Sequence, residues 1–430
     1  MNALAPIAVR VTIAWLTALL CLTGAASCGS SSTSGPDTGG GASGGATGDR
    51  AMGGAGSGGS AGAFASGGLG GVGASGASGG AAGSVGIPPD SLAHKYADYF
   101  PIGAAVSSWH LDNLSAIVEN DFNHLTCENA MKMRNVHPAE ATFNWTEADR
   151  IADFARERGM KLTGHTLVWH RQSPAWMFQG VTADAGVSVE TLKARLKAHI
   201  EAVIGRYADV VDNWDVVNEA ISDDPTKTYR DGSEMSRWYE VFGSEEYIYW
   251  AYQYAHDALE SISPGSSQGR LYYNEYVVTV KADKILSMLA WLKNEKGIQV
   301  DGVGFQSHEN LTWPTTTELQ AAFDKFAAAG YKVKISELDV TVYDDYATGA
   351  FVPQPQVTFS ASLEATQAAR YAGLFDLYRK NKSLITSVTF WGVSDDNTWL
   401  DDVVAGRNDF PLLYDDLHRP KAARRAIMTF

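Results

Sequence analysis

Past Ile87 the chain alternates short apolar runs with amphipathic stretches, and this repeat constrains its fold more than any other feature. Runs of strand length stand at 102–106, 123–127, 161–168, 212–217, 270–274, 302–306, 332–338 and 385–391. Helical periodicity follows most of them, as at 146–158, 191–207, 363–380 and 421–428. Parallel strands need crossover connections, so these units predict a parallel sheet clothed in helices. A doubly wound sheet would carry a glycine-rich phosphate turn after its first strand. The sequence has none there, and a (β/α)8 TIM barrel with long loops is the expected fold.

Composition divides the chain at the same place. Most of its 43 glycines precede residue 90, whereas aromatic residues (12 Trp, 18 Tyr and 16 Phe in all) are dense after it. Only the second stretch can bury a large core, so residues 88–430 are expected to form the barrel. In residues 1–28, Arg10 precedes an apolar run that gives way to small residues, the layout of a secretory signal peptide. An uncleaved membrane anchor is the alternative, but the run is short and broken by Thr12 and Thr17. Ala25-Ala26-Ser27-Cys28 is similar to a lipoprotein cleavage site, with Ala25 where Leu is usual. A secreted or cell-surface location follows, with Cys28 as a candidate membrane tether. Residues 29–87, nearly all Gly, Ala and Ser, read as a flexible, disordered linker.

The net charge of −15 would repel a polyanion such as nucleic acid, so a neutral ligand is expected. The three cysteines, at 21, 28 and 127, make no disulfide framework and no thiolate zinc site. No metal or cofactor is expected, and the protein is expected to act as a monomer.

In a barrel of this kind chemistry sits at the C-terminal ends of the strands. Here strand after strand ends in polar or aromatic groups: Glu128-Asn129, His165 and His170, Asn218-Glu219, Asn274-Glu275, Gln306 and His308, Glu337 and Asp339, Trp391. So many polar groups on one face suit a polymer rich in hydroxyls. Glu219 and Glu337 end strands three apart round the barrel and can face each other across its mouth. Glycosidic cleavage needs such a pair, one carboxylic acid to protonate the departing oxygen and one carboxylate at the anomeric carbon. Asp339 lies on the same strand face as Glu337. With Glu337 ionised, two adjacent anions are costly and Glu219 keeps its proton; once Glu337 is esterified, Glu219 is free to act as a base.

The segments Leu125-Thr126-Cys127-Glu128-Asn129-Ala130-Met131-Lys132, Gly164-His165-Thr166-Leu167-Val168-Trp169-His170-Arg171-Gln172, Trp214-Asp215-Val216-Val217-Asn218-Glu219, Tyr272-Tyr273-Asn274-Glu275-Tyr276, Gly304-Phe305-Gln306-Ser307-His308, Ile335-Ser336-Glu337-Leu338-Asp339 and Phe390-Trp391-Gly392-Val393-Ser394-Asp395, with Trp399 beyond, stand in the order found in glycoside hydrolase family 10. From about residue 92 to the C-terminus the chain resembles that family, mainly retaining endo-β-1,4-xylanases on (β/α)8 barrels. The resemblance implies that Glu219 is the acid/base and Glu337 the nucleophile. It implies that Asn218 holds the hydroxyl next to the anomeric carbon and that His308 with Asp339 orients Glu337. Glu128, Asn129 and Lys132 then bind sugar on the non-reducing side. His165, Trp169, Gln306, Trp391 and Trp399 join the cleft, with Tyr276 as a further stacking candidate. Gln172 and Trp399 are placed near the C5 edge of the sugar, where xylose lacks a hydroxymethyl group. His170 takes no assigned role, and Trp109, Trp145 and Trp238 are read as packing. Ser336 stands where Thr is commoner and Glu275 where Asp is commoner.

Three other readings compete. A metal-dependent barrel hydrolase would carry His-x-His on its first strand, and 102–106 contains no His. A sugar-binding protein without catalysis is opposed by the intact glutamate pair. A broader β-1,4-glycanase, active on cellulose-type glucan as well, differs only in specificity.

Overall fold

The computed structural model describes residues 88–180, 186–345, 351 and 353–430. The signal peptide expected at 1–28, the linker at 29–87 and the proposed tether Cys28 lie outside the described residues. Among the described residues nine strands form: β1 (Ile102–Val106), β2 (His124–Cys127), β3 (Lys161–Trp169), β4 (Val211–Asn218), β5 (Leu271–Glu275), β6 (Gly302–Phe305), β7 (His308–Asn310), β8 (Lys332–Thr341) and β9 (Ile385–Phe390). Each of β1 to β5 pairs in parallel with the next, β5 pairs with β6, β6 skips to β8, and β9 returns to β1. The ring is therefore closed by eight parallel strands, as the repeat predicts, and β7 is an added strip on the rim of β8.

That strip corrects one boundary. β8 runs on to Thr341, beyond the expected end at 338, because β7 supplies new partners, with His308 opposite Asp339 and Asn310 opposite Thr341. Gln306 and Trp391 fall just beyond their strands, while β3 and β4 each reach one residue further, to Trp169 and Asn218.

Local signals explain the helices between the strands. The helix Thr146–Arg158 turns Ile151, Ala152 and Ala155 to the core and stops at Gly159, whose φ of 67° suits a residue without Cβ. The helix Thr316–Ala328 starts on a reciprocal cap, Thr315 accepting from the Glu318 amide and Glu318 accepting from that of Thr315. Trp238 is fully buried, and Trp109 and Trp145 pack against the core, as read from sequence.

Inside the barrel a polar layer lies under the mouth. Lys334 Nζ pairs with Asp215 Oδ1 at 2.8 Å, and the other oxygen of Asp215 meets His165 Nδ1 at 3.0 Å, all three groups buried. A buried cation needs such a partner. The ladder is irregular at this level: register shifts fall between His165 and Val168 in β3, between Asp215 and Val217 in β4 and between Ile335 and Leu338 in β8. Such bulges turn the residues above them, here Trp169, Asn218 and Glu337 among others.

Candidate active site

Glu219 follows β4 directly, with φ of 57°. A left-handed conformation costs a residue with Cβ about 1–2 kcal/mol, so surrounding contacts must impose it. Its carboxylate is gripped on both oxygens: Trp169 Nε1 donates to Oε2 at 2.8 Å, and Gln306 Nε2 donates to Oε1 at 2.9 Å. Three further residues with positive φ and a side chain, Gln172, Val277 and Ser307, also stand just past barrel strands, so the strain collects on this face.

Glu337 is more enclosed, at 5% exposure. Asn274 Nδ2 donates to its Oε1 at 2.6 Å, and His308 Nε2 lies 3.2 Å from its Oε2. The other ring nitrogen of His308 meets Asp339 Oδ2 at 2.9 Å. Burial opposes charge on the ring, but the two carboxylates outweigh it and raise His308 to about 10. Burial alone would likewise raise Glu337; the His308 hydrogen bond and the positive potential of His165, His308 and Lys132 hold it below the usual range. Glu337 is thus an anion held against an imidazolium.

The two glutamates are joined by amides. Gln306 Nε2 reaches Asn218 Oδ1 at 3.3 Å as well as Glu219, and Asn274 Nδ2 reaches the same Asn218 oxygen at 2.9 Å as well as Glu337. Ser336 Oγ donates to Asn274 Oδ1 at 2.6 Å, fixing which end of that amide faces Glu337. Asn274 and Ser336 were not among the site residues expected from sequence. The sequence places Asn274 at a strand end, but its role rests on register, with Asn218 on one side and Gly304 on the other. A Cβ on Gly304 would stand 2.2 Å from Asn274 Oδ1, so glycine makes room for the amide.

The remaining expected residues divide. Lys132, buried, donates to Asn129 Oδ1 at 3.0 Å, and Asn129 donates to Glu128 Oε1 at 3.0 Å, so the three act as one group. The Lys132 ammonium lies 5.1 Å from the Trp169 ring centre and 5.6 Å from that of Trp391. The His165 ring meets Trp391 edge-on at 5.3 Å. Trp399 donates its indole N–H to Asp339 Oδ2 at 2.8 Å, so it supports the His308 pair. Tyr276 is tied to Asp223 and Arg230 through its hydroxyl, with the Lys281 ammonium 3.6 Å from its ring centre. Gln172 lies beyond β3, its carbonyl accepting from the Arg134 amide at 2.8 Å. His170 has both ring nitrogens buried without a hydrogen-bond partner, and burial, then Arg230 and Arg171, keeps it neutral.

Among the described residues no group of three or more His, Cys, Asp and Glu side chains is placed to hold a metal ion. The arrangement can place an anion and a second carboxyl group on either side of a bond lying in the mouth.

A family model, Glycosyl hydrolase family 10, matches residues 91–430. The chain is 39% identical over 349 residues to a beta-1,4-xylanase of Dictyoglomus thermophilum, covering 80% of this chain and 92% of that protein. It is 36% identical over 359 residues to a thermostable celloxylanase of Thermoclostridium stercorarium, covering 79% of this chain and 87% of that protein. Among solved structures it is similar to an endo-1,4-beta-xylanase from Caldicellulosiruptor owensensis, with a TM-score of 0.72, 37% identity, and 79% of this chain and 99% of that one covered.

Proposed function

As the chain belongs to glycosyl hydrolase family 10, we propose that it hydrolyses internal β-1,4-xylosidic bonds of xylan with retention of anomeric configuration. The observation that carries this reading is the asymmetry between the two joined glutamates. Glu337 is buried, anionic and backed by a cation, whereas Glu219 is half-buried and held by neutral N–H donors from Trp169, Gln306 and, at 3.4 Å, Asn218.

In the first step Glu337 attacks the anomeric carbon while Glu219 gives its proton to the departing glycosidic oxygen, leaving a glycosyl ester on Glu337. Ester formation removes the negative charge at Glu337. Glu219, now a carboxylate, takes a proton from water as that water attacks the same carbon and releases Glu337. Two inversions give net retention. Glu128, Asn129, Lys132, His165, Asn218, Gln306, Trp169, Trp391 and Trp399 are the groups proposed to bind the sugars, Lys132 and Asn218 as hydrogen-bond partners and the indoles as apolar faces.

Product analysis on xylan, mixed-linkage glucan and cellulose side by side, with the first-formed anomer followed by proton NMR, tests this. Mixed xylo-oligosaccharides of β configuration are expected; an α anomer appearing first ends the retaining mechanism. A broader β-1,4-glycanase is the second reading, favoured by the likeness to a celloxylanase, and equal rates on xylan and cellulose would establish it. We also propose export through residues 1–28, the product being either free or tethered to the cell surface by a lipid on Cys28. A mature N-terminus beyond Cys28 in mass spectrometry would remove the anchor.

A further inference from the structure

The strained backbone at Glu219 is held at each polar group of the three residues 219–221. The Glu219 amide donates to Asn274 O at 2.9 Å and its carbonyl accepts from Arg230 Nε at 3.2 Å. The Ala220 amide donates to the Tyr273 hydroxyl at 2.8 Å, and its carbonyl accepts from the Arg230 amide at 2.8 Å. The Ile221 amide faces both the Tyr273 hydroxyl, at 3.1 Å, and Glu275 Oε2, at 3.2 Å. Its carbonyl accepts from Arg230 Nη2 and Lys281 Nζ, each at 3.4 Å.

Two side chains carry most of the amide side of this clamp. Tyr273 donates its hydroxyl proton to Glu275 Oε2 at 2.5 Å, which leaves its oxygen lone pairs for the two amides. The other oxygen of Glu275 pairs with Lys281 Nζ at 3.0 Å and accepts from the Tyr276 amide at 3.2 Å. Tyr273 and Glu275 are both at 0% exposure, so neither touches a substrate and any effect on catalysis is indirect. The length of Glu275 matters, since one carboxylate spans from Lys281 to the Ile221 amide.

We propose that Glu275 and Tyr273 are positioning residues for Glu219, clamping the peptide that follows it so that its carboxyl group points at the departing oxygen. The proposal rests on the reading of Glu219 as acid/base. If the clamp loosens, residues 219–221 relax toward an ordinary conformation and the carboxyl moves off Trp169 and Gln306. Proton delivery then suffers, while Glu337, held from β8 by Asn274 and His308, keeps its place.

Tyr273→Phe keeps the ring and removes the acceptor of two amides; Glu275→Gln keeps the shape and removes the charge. Both are compared with wild type and with Glu219→Ala, reading kcat/KM on xylobiosides whose leaving groups either need protonation or depart without it. Both clamp variants are expected to lose about tenfold or more on the demanding leaving group, and less than about threefold on the activated one. Loss of equal size on both, or no loss, in a variant with wild-type melting overturns the proposal if Glu219→Ala shows the split. If Glu219→Ala shows no split either, the acid role of Glu219 has failed and the proposal falls with it. Should Glu275→Gln not fold, Tyr273→Phe alone decides.

Discussion

His308 stands directly opposite Asp339 in the parallel register of β7 and β8, and the 2.9 Å contact between them keeps the histidine charged beside Glu337. The pair is a product of the rim strip. The β7 pairing sets the height of the ring, and Trp399 packs against it with ring centres 4.8 Å apart.

The first prediction concerns pH. His308 titrates at about 10 in the fold against 6.5 in the unfolded chain, so the native state binds its proton more tightly. Its contribution to stability is therefore complete below about pH 6.5, declines as pH rises, and is lost above about 10. Melting temperatures across pH 6 to 10 are expected to fall more steeply in wild type than in Asp339→Asn, where the ring loses one of its two anions. Parallel curves would contradict the ion pair.

Glu337→Gln is expected to fold and to lose activity by more than about 10³-fold on every leaving group, because an amide cannot form the glycosyl ester. Circular dichroism checks the fold and initial rates check the loss. Substantial turnover in a clean preparation would take the nucleophile role from Glu337.

Gly304→Ala tests the room made for Asn274. Its Cβ would come within 2.2 Å of Asn274 Oδ1, so the amide must leave Glu337. A loss of about 1–3 kcal/mol in chemical denaturation is expected together with reduced kcat/KM. Unchanged stability and activity would mean that the amide has another resting place.

If Gln172 borders the C5 edge of the sugar, as the family resemblance implies, Gln172→Ala is expected to raise the ratio of cello- to xylo-oligosaccharide kcat/KM by about tenfold, since the space vacated admits a hydroxymethyl group. Trp399 is the poorer residue to truncate for this purpose. Its indole N–H bonds Asp339, so Trp399→Ala would disturb the support of Glu337 along with the pocket. An unchanged ratio in Gln172→Ala would place the selectivity elsewhere.

Much of this protein was legible in the chain itself. Short apolar runs alternating with period-3.6 stretches after Ile87 specify parallel βα units, because each apolar face must be buried, and eight units close into a barrel. Strand-end position puts Glu219, Glu337, His308 and Asp339 among the polar groups of one face, since the ends of barrel strands share it, and the family resemblance is what singles them out from the rest. What the linear pattern does not carry is register. The bulges in β3, β4 and β8, the side strip β7 and the left-handed turn at Glu219 depend on which residues oppose one another across the ladder. Those pairings turn Asn274 and Ser336 from ordinary polar strand residues into the support of Glu337, and bury Tyr273 and Glu275 under the peptide of residues 219–221. Patterning follows from burial, which each residue's own chemistry dictates; the hydrogen bonds that hold the two glutamates span strands tens of residues apart and exist only once the barrel has closed.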